Sequence, residues 1–419
     1  MNAVGNAASR PGGYPRAEPC LLALNAGSSS LKFGLYRPRA GAVECLLTGE
    51  AERIGEPDSH TRAATVDGCR RLSEAAPVPD HRAAVARVSR LLADWQCLRP
   101  DAIGHRIVHG GLRLREHCLI DASVLEALHA ACAFAPLHGP AAIAVIEHCA
   151  EHFPSVPQAA CLDTCFHANM PSVASTLPLP HDLRAAGLQR YGFHGLSCES
   201  IVQQLAKALP ERLIIAHLGN GASITAVRAG VSIDTSMGLT PAGGIIMGTR
   251  SGDLDPGVLV YLMREMALDP QAIEALVNHR SGLLGLSGAS GDMRSLHKLA
   301  ASSADAQLAI DMFCYSVAKA LGAMTTVLGG VDMIVFTGGI GEHDGAVRTD
   351  ICGRLSCLGV ALDDARNRLG HGLISRDAAG CQVMVLPSQE DEQIARHTGP
   401  LCGLATSTDS THEPTARQA

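Results

Sequence analysis

The sequence predicts an α/β protein made of two similar domains around a shared cleft, and three observations support this. Apolar strand-like runs alternate with amphipathic helical segments along the chain. The length of 419 residues exceeds what one ordinary hydrophobic core supports, so about two domains are expected. A pattern of strand, polar Gly/Ser turn and returning strand occurs twice, once from Leu21 and again from Leu213.

The two repeated hairpins each carry a polar turn where an apolar strand ends. The first has strands at 21–24 and 31–36 around the turn 25–30, and the second has strands at 213–216 and 224–227 around the turn 217–223. Glycine allows a ligand to approach the backbone closely, and successive free N–H groups in such turns form anion-binding concavities. We therefore expect each domain to offer one phosphate-binding turn to the cleft.

The remaining elements alternate in the same way. Helices are predicted at 83–97, 141–153, 257–279 and 304–323, and strands at 102–109, 159–162, 333–336 and 383–386. We expect domain I at 19–164 with 391–404, and domain II, on the nucleotide side, at 165–390. The polar extensions 1–18 and 405–419 are expected to be disordered.

Composition excludes several classes of function. The net charge of −7 argues against a general nucleic-acid binder, since such domains are normally basic. The 15 cysteines contain no C-x-x-C pair, and the N-terminus has no apolar signal region, so we expect reduced thiols and a cytoplasmic protein. No run of 18 apolar residues occurs, so no membrane span is expected.

Charged and imidazole side chains cluster where predicted strands end, which is where open α/β sheets bind ligands. Taken alone, Lys32 is about as plausible as an exposed residue of an ordinary turn as it is as a functional residue. The same holds for Arg106 as a surface residue on an edge strand. The turn at 25–32 lacks the P-loop pattern. His148 to His152 matches H-x-x-E-H, but both histidines fall on the polar side of a helix, and we reject a metalloprotease site.

The central stretch 217–256 and two later turns complete the candidate site. Arg250 suits bidentate capture of a carboxylate or phosphate. Asp292 and Arg294 close a glycine-rich loop, and 332–342 is a strand followed by glycines. Glu390 ends the last strand, where a carboxylate could hold Mg²⁺ directly or through water. Together these residues predict a phosphate-handling enzyme.

With these motifs laid out, the chain resembles the acetate kinase family from about Leu21 to Ala395. The blocks that carry the resemblance are NAGSSSLKF, GHRIVHGG, DTCFH, RYGFHG, HLGNGAS, DTSMG, MGTRSGDLDP, SGLLGLSG and FTGGIGE. The resemblance implies two duplicated ribonuclease-H-like domains, the actin-like ATPase fold, closing over ATP. It also implies a homodimer.

The resemblance assigns catalytic roles to five residues. Arg106 and Arg250 are expected to hold the carboxylate and the transferring phosphoryl group. His194 is expected to stabilise that group, with His138 lining the same space. Asp163 is expected to orient Arg250 and the metal. Because a carboxylate substrate is ionised at pH 7, no strong general base is required.

It also assigns binding roles. The methyl pocket is expected from Val108, Leu137, Phe193 and Pro241. Asn25 and Glu390 are expected to lie beside Mg²⁺, with Mn²⁺ as an alternative. The expected ATP contacts are Ser28, Ser30, Lys32, His217, Gly219, Asn220, Gly221, Asp292, Arg294, Gly339, Ile340 and Gly341.

Several positions depart from the family pattern without removing a charged catalytic residue: Gly139, Leu196, Cys198, Ala242, Gly243 and His343. The expected reaction is reversible, Mg²⁺-dependent transfer of a phosphoryl group from ATP to acetate, giving acetyl phosphate and ADP. Two alternatives stay open. One is a kinase that prefers propionate or butyrate, and the other is a non-catalytic ATP-binding relative.

Overall fold

The computed structural model describes residues 18–95, 99–136 and 138–404. The disorder expected for 1–17 and 405–419 lies outside the described residues, as does the predicted pocket residue Leu137.

The described chain contains 14 strands and 15 α-helices. The strands are β1 (Leu21–Ala26), β2 (Ser30–Arg39), β3 (Ala42–Glu52), β4 (His60–Thr65), β5 (Arg71–Ala75), β6 (Ala102–Ile107), β7 (Cys118–Leu119), β8 (Gln158–Leu162), β9 (Arg212–Leu218), β10 (Ala222–Arg228), β11 (Val231–Thr235), β12 (Met333–Thr337), β13 (Gly372–Leu373) and β14 (Gln382–Val385). The helices are α1 (His81–Asp94), α2 (Ala122–Ala131), α3 (Gly139–His152), α4 (Ser172–Ser175), α5 (His181–Ala185), α6 (Gly195–Leu205), α7 (Pro256–Glu265), α8 (Pro270–His279), α9 (Gly282–Ser287), α10 (Met293–Leu299), α11 (Ala304–Leu328), α12 (Gly338–His343), α13 (Gly345–Gly353), α14 (Asp364–Leu369) and α15 (Glu390–Leu401). Short 3₁₀ turns lie at Cys132–Phe134, Cys165–His167, Ala206–Ala208 and Ser356–Leu358.

The strands form two sheets with the same central order. The first runs β5-β4-β3-β2-β1-β6-β8-β7 and the second β11-β10-β9-β12-β14-β13. In each, an antiparallel hairpin (β1 with β2, β9 with β10) precedes a parallel neighbour of its first strand, β6 or β12. The shared order confirms the predicted duplicated α/β fold.

Burial explains why the two central strands read as continuous apolar runs. Every residue of β1 is buried, and β9 is buried from Leu213 to Leu218. Strands covered by helices on both faces need apolar side chains on both, so the alternation of a half-exposed strand is absent. The core of the second sheet includes Phe313, Val317 and Leu321 of α11, which recur every four residues along one helical face.

Helix α11 is the one helix among the described residues long and apolar enough to cross a membrane. Half of its most apolar window is buried inside the protein, as in the core helix of a globular domain.

Proline and glycine set two helix boundaries that the sequence prediction placed wrongly. The single helix predicted at 257–279 is two helices, because Asp269 caps α8 and Pro270 opens it. Helix α11 runs past 323 to Leu328 and ends where Gly329 adopts a left-handed conformation.

Two helices connect the sheets behind the cleft. Helix α6 contacts β9 of the second sheet and also α15, and α15 packs against β1, β6 and β8 of the first. We therefore propose that 391–404 belongs with 19–164 in domain I, and that 165–390 forms domain II.

Candidate active site

A cavity of about 790 Å³ lies between the two sheets, at the ends of their central strands. Eighteen of the predicted site residues line it: Asn25, Ser28, Ser30, Lys32, Arg106, Val108, His138, Asp163, Phe193, His194, His217, Gly219, Asn220, Gly221, Pro241, Arg250, Gly339 and Glu390. Residues from both hairpin turns are among them, so the two turns face one cleft as the pattern predicted.

Four predicted nucleotide contacts do not line this cavity. Asp292 caps α10 and pairs with the exposed Arg294 at 3.1 Å. Ile340 and Gly341 lie in α12, directly behind the cavity-lining Gly339. Their roles toward ATP stay predictions.

Arg106 and Asp163 form a buried ion pair at the ends of neighbouring strands. Arg106 lies on β6 and Asp163 directly follows β8, which runs parallel to β6. Nε and one terminal nitrogen of Arg106 donate to Oδ2 of Asp163 at 2.9 and 2.6 Å, and the other terminal nitrogen donates to Asn25. Burial alone would lower the pKa of Arg106, but Asp163 and Glu390 together raise it.

This pairing corrects the expectation that Asp163 orients Arg250. Arg250 comes from a loop associated with the second sheet, and its described hydrogen bonds go to neutral groups instead. It donates to Nε2 of His138 at 3.0 Å and to the carbonyl of Pro241 at 3.2 Å. Asp163 pairs with Arg106 because the parallel register of β6 and β8 brings those two strand ends together.

Arg250 is therefore a cation without a carboxylate partner among the described residues. Burial, and then repulsion from Arg106, lower its pKa to about 10. Burial and the same two guanidinium groups lower the pKa of His138 to about 3, so His138 is neutral and accepts the Arg250 hydrogen bond. The energy lost by burying Arg250 is recoverable when an anion binds beside it.

His194 is held in an unusual backbone conformation at the start of α6. It has a left-handed φ of 59°, and the next residue must be glycine because a Cβ on Gly195 would lie 2.2 Å from the carbonyl oxygen of Asp163. A non-glycine residue in this region costs on the order of 1–3 kcal/mol and persists where its surroundings enforce it. The close fit places His194 next to the Arg106–Asp163 pair.

The ring of His194 is neutral and oriented by its neighbours. Its Nδ1 lies 2.9 Å from Oγ of Ser223, and it stacks on His217 with ring centroids 4.1 Å apart. Burial, then the neighbouring His217 and the two arginines, hold its pKa well below the usual value. With Nδ1 accepting from Ser223, Nε2 carries the proton, and a Cβ on Gly221 would lie 3.3 Å from that nitrogen.

A group of carboxylate and amide oxygens lies beside Arg106. Asn25 donates to Oε2 of Glu390 at 3.0 Å and to Oδ1 of Asp391 at 3.3 Å. Oδ1 of Asp163 is buried and has no hydrogen-bond partner among the described residues. Burial and the adjacent Glu390 raise the pKa of Asp391 to about 6. Carboxylate and amide oxygens that are incompletely satisfied fit a hard divalent cation.

Sequence reasoning missed three acidic residues of this cavity, Glu342, Asp391 and Glu392. Asp391 was passed over, although it stands in the acidic run that begins at Glu390. Glu342 accepts from the backbone N–H groups of Gly338 and Ser388 at 2.9 and 3.0 Å, which joins the α12 turn to the segment before α15. Its position at the end of the FTGGIGE block was the available signal.

The rejected H-x-x-E-H segment lies on α3, where His148 pairs with Glu151 at 3.6 Å. Within the described ranges, the one group of three closely spaced ligand side chains is His117 with Glu199 and His397.

Comparison with known proteins agrees with this geometry. A model described as the acetokinase family matches residues 20–396. The chain is 42% identical over 391 residues to an acetate kinase from Heliobacterium modesticaldum, covering 90% of this chain and 98% of that protein. Among solved structures, a propionate kinase from Francisella tularensis is similar at 37% identity and a TM-score of 0.85, covering 91% of this chain and 100% of that one. An acetate kinase from Porphyromonas gingivalis is similar at 34% identity and a TM-score of 0.80, covering 91% and 99%. The chain belongs to the acetokinase family.

Proposed function

We propose that this protein is an acetate kinase, which transfers a phosphoryl group reversibly from ATP to acetate and gives acetyl phosphate and ADP. The observation that carries the proposal is the partly buried guanidinium of Arg250. It has no carboxylate partner among the described residues and faces a cavity that also holds Arg106 and His194. Phosphoryl transfer depends on positioning and on cations around the spreading charge, and these residues supply both.

Each side chain has a separate role toward the substrates. Arg250 meets the anionic oxygens of the substrates, and Arg106 lies across the cavity, held in place by Asp163. Nε2 of neutral His194 donates a hydrogen bond to the group in transfer. The buried apolar side chains of Val108 and Phe193, together with Pro241, line the cavity where the methyl group of acetate would lie. Because acetate is already ionised, no group in the cavity needs to remove a proton.

A kinase of this family uses ATP and a divalent metal, and we propose Mg²⁺, with Mn²⁺ as a substitute. Glu390, Asn25 and the partnerless Oδ1 of Asp163 supply oxygens that suit it. When bound, the ion neutralises phosphate charge and orients the phosphate chain. Lys32, Asn220 and the glycine turns line the part of the cavity where the phosphates would lie.

Propionate is the second candidate acceptor, favoured by the likeness to the propionate kinase structure. One methylene in an apolar pocket changes discrimination by only about 1–3 kcal/mol, so both acids are expected to react at different rates. A non-catalytic ATP-binding role is disfavoured by the presence of both arginines and His194 in one cavity.

We also propose a homodimer located in the cytoplasm. Helices α7 and α8 contain no buried residue, and α7 with its flank exposes Val258, Val260, Tyr261, Met263 and Met266. An apolar surface of this kind marks an interaction site in many proteins, and a second copy of the chain is the occupant we infer. Sedimentation equilibrium of the wild type would test it, and a monomer across micromolar concentrations would contradict it.

The test of function is acyl phosphate formation trapped with hydroxylamine, with Mg-ATP and either acetate or propionate. We expect acyl hydroxamate from the wild type and its loss in Arg250→Ala. Arg82→Ala serves as the matched control, because Arg82 is an exposed arginine paired with Glu151 on the surface. Wild-type protein that yields no more product than a heat-killed sample would refute the proposal.

A further inference from the structure

A second polar cluster joins α6 and α15 outside the active-site cavity. His117, Glu199 and His397 meet there beside a cavity of about 430 Å³ that is separate from the active-site cavity. Nε2 of His397 lies 2.6 Å from Oε2 of Glu199, and Nε2 of His117 lies 3.7 Å from Oε1. The two imidazole rings are 3.9 Å apart, and Gln393 also donates to Glu199 at 3.2 Å.

Two members of the cluster lie on helices that begin at or beside an active-site residue, and the third contacts the strand that ends at one. Glu199 lies on α6, which begins directly after His194, and His397 lies on α15, which begins at Glu390. At about 1.5 Å of rise per helical residue, the cluster is roughly 7–10 Å along each helix from those residues. Nδ1 of His117 accepts the backbone N–H of Leu162 at 2.9 Å, one residue before Asp163.

The same contact decides between a metal site and a hydrogen-bonded cluster. A histidine that binds a metal through Nε2 carries its proton on Nδ1 and donates it to a neighbouring acceptor. Nδ1 of His117 instead faces the N–H donor of Leu162. Nε2 of His117 therefore carries the proton and points to Glu199. Depression of the Glu199 pKa to about 2, despite its burial and because His117 and His397 contact it, keeps this carboxylate ionised as the acceptor.

We propose that His117, Glu199 and His397 are positioning residues, which set the relative placement of α6, α15 and the end of β8. Through those segments they align His194, Glu390 and Asp163 for phosphoryl transfer. This inference rests on the proposed function. A misplacement of about 1 Å at a reacting centre can cost on the order of 100-fold in rate, so a cluster one to two turns away has enough leverage to matter.

The test compares Glu199→Gln, His397→Gln and the double variant with wild type in the hydroxamate assay. Glu199→Gln keeps the size of the side chain but cannot accept both imidazole N–H groups. We expect kcat to fall about 10- to 100-fold, while KM for acetate changes less than threefold. The double variant is expected to be no slower than the worse single variant, because one cluster is broken in each case.

The matched control is Glu147→Gln. Glu147 also lies 3.7 Å from a histidine, His129, but that pair is on the exposed surface of α2 and α3. We expect its kcat to equal that of wild type. Thermal unfolding of all variants is measured in parallel, since a purely structural role lowers Tm but leaves kcat of the folded enzyme intact.

Two outcomes would overturn the inference. One is a Glu199→Gln kcat within twofold of wild type, whether or not Tm is lowered, and the other is stoichiometric Zn²⁺ binding that His117→Gln abolishes. The Zn²⁺ measurement uses equilibrium dialysis of the full chain against zinc alone. An inactive wild type would refute the proposed function instead, so the two failures are distinguishable.

Discussion

Replacing Arg250 with alanine is expected to abolish catalysis without weakening the fold. The guanidinium of Arg250 donates to neutral acceptors, among them His138 and the carbonyl of Pro241, and it is repelled by Arg106. Its pKa falls from 12.5 to about 10. At about 1.4 kcal/mol per pKa unit, the charged form is disfavoured by roughly 3 kcal/mol relative to water.

The sign of this effect follows from linkage. A cation whose pKa is lower in the folded state destabilises that state at every pH below the folded pKa. At neutral pH, Arg250→Ala therefore removes a penalty of roughly 3 kcal/mol. It also removes two hydrogen bonds of about 1 kcal/mol each and some packing. The terms nearly cancel, so we expect the free energy of unfolding to change by less than about 1–2 kcal/mol, while kcat/KM falls about 10³-fold or more.

Urea unfolding and the hydroxamate assay on the same preparation measure both quantities. Arg190→Ala is the contrasting control, since Arg190 donates to the backbone carbonyls of Ala174, Thr235 and Ser236 and so supports the fold. We expect it to lose stability. A loss of more than about 3 kcal/mol in Arg250→Ala, with activity falling only in proportion to the folded fraction, would refute the assignment of Arg250 to catalysis.

Three further predictions address the backbone, the metal and the acceptor pocket. Gly195→Ala should lower the free energy of unfolding, measured with urea, by about 2–3 kcal/mol, because its Cβ would lie 2.2 Å from a carbonyl oxygen. An unchanged free energy of unfolding would contradict this. Glu390→Gln should raise the Mg²⁺ concentration for half-maximal rate about 10- to 100-fold, with KM for acetate unchanged; equal shifts in both would count against a metal role. Val108→Ala should raise the kcat/KM ratio of propionate to acetate about 10-fold, and a constant ratio would place the methyl pocket elsewhere.

The fold was predictable because its signals are local. An apolar run followed by Asn25, or by the Gly219–Gly221 turn, predicts both the strand and its end from a few neighbouring residues. The same pattern at two places predicted the duplication that the shared strand order confirms. The helix predicted at 257–279 was wrong for a local reason too, since Asp269 and Pro270 together signal a new N-terminus.

The partners of charged residues were less predictable, because they depend on which strand ends lie side by side. Only the parallel pairing of β6 with β8 assigns Asp163 to Arg106 instead of Arg250. The cluster of His117, Glu199 and His397 could not be predicted from the sequence, because it too depends on which segments lie side by side. Its three members lie on segments far apart in the chain, and none stands in a motif that carried the resemblance to the family.

The charged side chains of the cavity explain why His138 and His194 stay neutral. Arg106 is neutralised by Asp163, while Arg250 has no carboxylate partner among the described residues. Protonated rings at His138 or His194 would add cations to a site that already disfavours one, and burial and the arginines depress both pKa values accordingly. The unfavourable charge is thus confined to Arg250, the group that meets the substrate anions. Binding those anions relieves it, so the free energy lost by burying the Arg250 cation is returned where phosphoryl transfer needs positive charge.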